Sequence, residues 1–314
     1  MAPQHTPTKM FFAHRVAPVG MTSVGWFPLP SGRLPFGRMM HFIGTAATLV
    51  VAGFGVSLDT PIVAMGTCAA MLLFGLPHGA FDLALIRQAH ADHRTLGVVM
   101  LYLGCAAAMF AIWRVAPPIA LIIFLGLSIV HFAEDWADSL PPFFAYGTST
   151  ALLTAPVILH DKMLTELFTL LAGDASSPLI AAVALLVAPV SLATASVAMI
   201  ALWSDGYRSQ ALATAFALSA MIFLPPLVGF ALFFCLMHSP AQFAAAQHTL
   251  RWRRPAQWGP VIVPLTCAAL GIAALIFAML TNATIIGAMV GTAFITLSIL
   301  TLPHMAVPWI VARL

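Results

Sequence analysis

The chain reads as an all-α, polytopic integral membrane protein, a bundle of about 8–10 transmembrane helices, and three observations carry that reading. Of its 314 residues 61% are hydrophobic and 7% charged, whereas soluble globular domains carry about 25% charged residues. The apolar residues fall in runs of about 17–25, the length a helix needs to cross the hydrocarbon core. Those runs contain Gly, Pro and Thr and lack the short apolar–polar alternation of barrel strands.

Taken in order, residues 1–40 are a tail rich in Pro, Gly and Thr that carries Lys9, Arg15, Arg33 and Arg38. No apolar run of signal-peptide type precedes the first span, so the tail is expected to be loosely structured. Residues 41–314 read as one multi-span membrane domain with ten spans near 41–58, 61–87, 97–115, 117–137, 142–160, 178–204, 208–225, 226–247, 258–281 and 284–303. With the tail inside, Arg87, Arg94, Arg208, Arg251, Arg253, Arg254 and Arg313 collect on the cytoplasmic side, and only Arg114 and Lys162 lie outside. That asymmetry predicts cytoplasmic N- and C-termini in the cell (inner) membrane. The net charge of +3 sits in loops, so it bears on orientation and implies no nucleic-acid partner. Cys68, Cys105, Cys235 and Cys267 lie in apolar runs without a Cys-x-x-Cys pair, which argues against disulfide frameworks, Fe–S clusters and thiolate zinc sites. They read as small buried hydrophobes.

Four spans are interrupted by polar knots: Pro77-His78-Gly79-Ala80-Phe81-Asp82, His131-Phe132-Ala133-Glu134-Asp135, His238-Ser239-Pro240-Ala241-Gln242 and Pro303-His304-Met305. Ionisable groups at membrane depth are costly and mark function. Counted at 1.5 Å per residue, the four histidines reach depths that agree within roughly 15 Å, predicting one site fed by four helices. Neutral imidazole is a ligand for Fe, Zn and Cu, and facing helices of a bundle supply such sites. The i, i+4 spacing of His78 with Asp82, and of His131 with Asp135, places each carboxylate to hold its own histidine's second ring nitrogen, with Glu134 beside the second pair. The other histidines (5, 14, 41, 90, 93, 160 and 248) are expected in the tail, loops or helix ends. Ser239 has no nucleophile-elbow context, and Gly75 and Gly79 read as close-packing positions. A bis-histidine haem electron carrier and a proton-coupled transporter are competing classes.

Taken as an ordered set, Pro77-His78-Gly79-Ala80-x-Asp82, His131-Phe132-x-x-Asp135, His238-Ser239 and Pro303-His304-Met305 resemble the Brp/Blh family of β-carotene 15,15′-dioxygenases over about residues 41–314. The resemblance implies a non-haem Fe(2+) enzyme that cleaves the central double bond of β-carotene with O2 and yields two retinal molecules. It implies iron on His78, His131 and His238, with Asp82, Glu134 and Asp135 behind them. The family's fourth histidine, in a His-Ser-x-x-His pattern, falls on Gln242. An amide is a weaker iron ligand than imidazole, which leaves His304 as the alternative fourth ligand. A polyene substrate is expected to arrive sideways from the lipid bilayer, and retinal implies a retinal-using rhodopsin as a partner.

Overall fold

The computed structural model describes residues 36–89, 95–252, 254–280 and 283–311. Every regular element among them is helical: α1 Phe36–Gly53, α2 Pro61–Ala70, α3 Asp82–Ala89, α4 Thr95–Val115, α5 Pro117–Ala133, α6 Pro142–Thr154, α7 Val157–Ala172, α8 Ser177–Ser204, α9 Arg208–Phe223, α10 Pro226–Phe233, α11 Ser239–Leu250, α12 Pro255–Met279 and α13 Ile285–Val311. Prolines start α2, α5, α6, α10 and α12. There the missing N–H is one of the groups a helix end leaves unpaired anyway.

Seven helices, alone or continued through irregular turns, are long and apolar enough to cross a bilayer among the described residues. The ten expected spans are corrected in three places. The expected span 142–160 is α6 joined to α7 with a 67° bend at the break, where Pro156 interrupts the ladder of helical bonds. The expected span 208–225 is the 16-residue α9, shorter than a full crossing. The first helix starts at Phe36, inside the expected tail, so it includes Arg38 and His41 among its polar residues. Residues 1–35, with Lys9, Arg15, Arg33, His5 and His14, lie outside the described residues, as do His90, His93, Arg94, Arg253 and Arg313.

Packing between spans relies on small side chains. Along α8, Ala181, Ala188, Ala195 and Leu202 recur every seven residues and are buried, and Ser177, Ser191 and Ala198 fill the same stripe. That face lies against α6, α7 and α9. With no water to expel between lipid-embedded helices, close van der Waals approach is what holds such a seam together. Gly147 of α6 meets it: a Cβ there would collide with the Thr194 side chain. On the other side α13 is the hub, packed on α2, α4, α5 and α12, and it is the most buried of the spans.

Two spans lose regular α geometry where they face each other. After α2 the chain widens into a π-helix, Met71–Gly75, then tightens into a 3-10 helix, Leu76–Phe81. After α10 a second π-helix, Phe234–His238, leads into α11. Irregular turns release backbone carbonyls, and in a bilayer each must find another donor. The Cys235 thiol donates to the Ala70 carbonyl (3.5 Å), the Ser239 hydroxyl to Phe74 (2.8 Å) and the His78 Nδ1–H to Gly75 (2.5 Å). Serine 239 and Cys235 thus tie the two distorted spans together. Gly75 lets the Phe234 ring lie directly on the backbone, since a Cβ would overlap that ring.

Candidate metal centre

The distorted turns deliver their histidines to one point. His78 leaves the 3-10 turn, His131 the last turn of α5, His238 the end of the second π-helix, and His304 the C-terminal part of α13. The rings of His131 and His238 lie 4.6 Å apart, those of His131 and His304 4.8 Å, and those of His78 and His304 5.6 Å. The shared depth expected from the sequence is therefore a shared site. Ligand atoms of His78, His131 and His238 lie within 4.8 Å of one another.

Three of the four rings have Nδ1 tied by a hydrogen bond. The Nδ1–H of His78 donates to the Gly75 carbonyl, that of His238 to Asp135 Oδ2 (2.9 Å), and that of His304 to the Asp82 carboxylate (2.8 Å to either oxygen). His131 Nδ1 faces Glu134 Oε2 at 3.5 Å without a hydrogen bond, and that carboxylate favours the tautomer with its proton on Nδ1. The Nε2 lone pairs of these rings then remain. Those of His131 and His238 are 3.0 Å apart, the edge that two nitrogens about 2.1 Å from one ion span at a right angle.

The expected pairing within each His-x-x-x-Asp motif is not what forms. Asp82 holds His304, and Asp135 holds His238, while His78 turns to a backbone carbonyl. The reason is helical pitch. In an α-helix the i and i+4 side chains share a face, but at three residues per turn they diverge by about 120°. His78 sits within a 3-10 turn that ends at Asp82, and Asp135 sits in the 3-10 turn Glu134–Trp136. Each carboxylate is thereby swung to a histidine on another span.

Two residues of this network, Tyr102 and Gln210, escaped the sequence reading, and a third, Gln242, takes a role other than the ligand position expected of it. The Tyr102 hydroxyl donates to Asp82 Oδ2 (3.1 Å), Gln242 Nε2 to Asp135 Oδ1 (3.0 Å), and Gln210 Nε2 to the Asp135 carbonyl (2.9 Å). Tyr102 is one of three tyrosines in the chain and lies mid-span, away from the interfacial belts where this residue gathers; that was a readable signal. The sequence places Gln242 at the fourth-ligand position, whereas its amide serves the carboxylate that orients His238. Of the histidines expected at solvated ends, His41 is instead fully buried, its Nε2 3.2 Å from the Ala213 carbonyl and its Nδ1 3.4 Å from the Thr45 hydroxyl. The early start of α1 places it against α9.

The charge balance fits a divalent cation. Asp82 and Asp135 are 5% and 1% exposed, and their partners are imidazoles, a phenol and an amide, none with an obligate positive charge. Two buried carboxylates facing inward-pointing lone pairs call for about two positive charges to offset desolvation. Such a nitrogen-rich set suits Fe, Zn or Cu. A porphyrin plane has no slot between rings whose Nε2 atoms approach to 3.0 Å.

Beside the histidines opens a cavity of about 250 Å³, lined by His78, His131 and His304 and by aromatic residues that include Phe124 and Phe230. Its walls are almost wholly apolar side chains, the character of a pocket for a hydrophobic ligand.

Fold and site together define a multi-span helical membrane protein whose spans converge on a buried histidine cluster under an apolar cavity. A family model described as Beta-carotene 15,15′-dioxygenase matches residues 69–310, a stretch that includes all four histidines. The chain belongs to that family. A Beta-carotene 15,15′-dioxygenase from an uncultured marine bacterium, 66A03, is 33% identical over 190 residues, 56% of this chain and 66% of that relative, so the match spans just under two thirds of the relative's length. No solved structure is a significant match.

Proposed function

We propose that this protein is an iron-dependent dioxygenase that cleaves the central 15,15′ double bond of β-carotene with O2 to give two retinal molecules. The observation that carries the reading is the convergence of His78, His131 and His238 nitrogens beside an apolar cavity that His78 and His131 line, in a chain of this family. The reaction balances without another reductant, because one C=C bond breaks and each carbon takes one oxygen atom of O2.

On this reading His78, His131 and His238 hold Fe(2+), and His304 is the fourth ligand in place of Gln242. Iron supplies the binding and activation of O2. The chain's own residues do the rest. Asp135 fixes the ring of His238, Asp82 that of His304 and Glu134 faces His131, each favouring a proton on Nδ1 and a free Nε2. The apolar cavity excludes water from the reacting bond and leaves the polyene's isoprenoid methyls and double bonds in contact with side chains of matching polarity.

The test is expression in cells that make β-carotene, with pigment extraction and metal analysis of the purified protein. Loss of orange colour with retinal and iron present is expected. Changing His78, His131 or His238 to Ala should abolish retinal while leaving membrane insertion intact. Active protein free of iron would overturn the metal assignment, and unconverted β-carotene with iron-loaded protein would overturn the reaction. The proposal extends to an inner-membrane location with cytoplasmic termini and to a retinal-using rhodopsin as the consumer of product.

A further inference from the structure

The cavity beside the histidines has one closed side and one open side. Its closed side is protein core: Phe124, Phe132, Phe230 and Phe234 are 3–7% exposed. Its other side is formed by α4 and α12, which both pack on α13. Leu103 of α4 and Ile272 of α12 line the cavity and yet are 54% and 37% exposed on the outer surface. A side chain that faces both a cavity and the exterior marks a mouth.

The height of that mouth decides what can enter. Leu103 lies eight residues into the 21-residue α4, and Ala268 lies near the middle of the 25-residue α12. At 1.5 Å per residue both are more than about 10 Å from the helix ends, inside a hydrocarbon core of about 30 Å. The mouth therefore meets acyl chains, and a water-soluble molecule would first have to dissolve in them. Between the two exposed rim residues the lips are small, with Ala106 on α4 and Ala268 and Ala269 on α12. Alanine leaves width where a leucine or phenylalanine side chain would fill it.

We propose that the cleft between α4 and α12, with Ala106, Ala268 and Ala269 as its lips, is a lateral port through which a long apolar polyene passes from the bilayer to the histidines. This rests on the dioxygenase reading and adds the route. A soluble-side funnel is disfavoured by the same facts, since the polar end of the cavity is the histidine cluster itself.

The test uses the full chain, loaded with iron and reconstituted in lipid nanodiscs containing β-carotene. Ala106→Trp and Ala268→Trp narrow the lips, Ala268→Leu does so partially, and Leu186→Trp, at a 77% exposed site on α8, is the lipid-facing control. Iron content and thermal unfolding of every variant are measured alongside retinal formation. Port variants are expected to lose at least tenfold in kcat/KM, with Ala268→Leu intermediate, while iron and unfolding match the parent and Leu186→Trp keeps parental rates. Rim variants as fast as Leu186→Trp would overturn the port and leave the dioxygenase reading standing. An iron-loaded parent that cleaves no carotenoid would overturn that reading, and with it the port's occupant. Should both tryptophan variants misfold, the rate of Ala268→Leu decides: parental speed overturns the port, and a several-fold loss with intact iron supports it.

Discussion

At Asp135 one carboxylate serves two donors: Oδ2 takes the His238 Nδ1–H and Oδ1 takes the Gln242 amide, while Gln210 holds the same residue's carbonyl. Gln242 is thus committed to the carboxylate that orients a metal-facing ring, and its position in the chain misleads if it is read only as a missing ligand. Two outcomes follow for metal affinity, measured by titration of the apoprotein. Gln242→Ala should weaken binding by about tenfold, the lower end of what loss of a ligand-orienting partner costs. Gln242→Glu, nearly isosteric, should weaken it more, because it sets a second carboxylate against Asp135 in a poorly solvated site. Parental affinity in the Glu variant would mean that the amide does not face Asp135. Gln242→His is expected to add no iron. At the other carboxylate, Asp82→Asn removes the anion that His304 and Tyr102 share, and iron affinity should fall by about ten- to a hundredfold. Tyr102→Phe removes only one neutral donor and should cost less than Asp82→Asn. The reverse order in the same titration would show that the phenol, and not the carboxylate, positions His304.

At the scale of elements, the site depends on turns that depart from the α-helix, and this is where the sequence was least legible. The polar knots themselves were visible, since histidines and carboxylates stand out in runs of Leu, Phe and Ala. Their partners were not, because the expectation that His78 meets Asp82 and His131 meets Asp135 assumed an α pitch that π and 3-10 turns replace. Those turns arise from contacts between spans, such as Phe234 lying on Gly75 and Ser239 bonding the Phe74 carbonyl, and no local pattern encodes them. The 67° bend in 142–172 was signalled by Pro156 and missed because apolar content continued across it. The dependence on the distorted turn is testable at Gly75. Adding a methyl group there forces the Phe234 ring away, and overpacking of this kind costs about 1–3 kcal/mol. Gly75→Ala should lower the thermal midpoint and the iron content together, and Phe234→Leu in the same chain should restore part of both. Since the two residues touch, the double-mutant cycle is expected to be strongly non-additive. Simple additivity in that cycle would mean that the glycine serves something other than room for the ring.

For the molecule as a whole, the cavity is lined both by histidines and by an aromatic wall that starts from Phe124, and the helices that carry them hold the distance between reacting centre and wall fixed. His131 and Phe124 lie seven residues apart on α5, about 10 Å along the helix. His304 and Leu297 have the same spacing on α13, and both helices line the cavity. The wall is braced: Phe230 stacks on Phe234 with ring centroids 5.5 Å apart, and Phe294 packs on both Phe230 (6.0 Å) and Phe124 (6.2 Å). If one end of a polyene abuts this wall, the bond presented to the histidines is set by the wall's depth. Central cleavage of a symmetrical polyene then needs the wall to stand half a substrate length from the metal. Phe230→Ala should deepen the cavity by the volume of a phenyl ring and let the chain slide inward by one or more double bonds. Chromatography of the products from β-carotene should then show two aldehydes of unequal length beside retinal, with total turnover reduced less than in the histidine variants. The same change in Phe144, an aromatic residue of α6 outside the cavity lining, should leave retinal as the product. A Phe230→Ala variant that still gives retinal alone would show that the polyene is positioned from its other end, at the lips between α4 and α12.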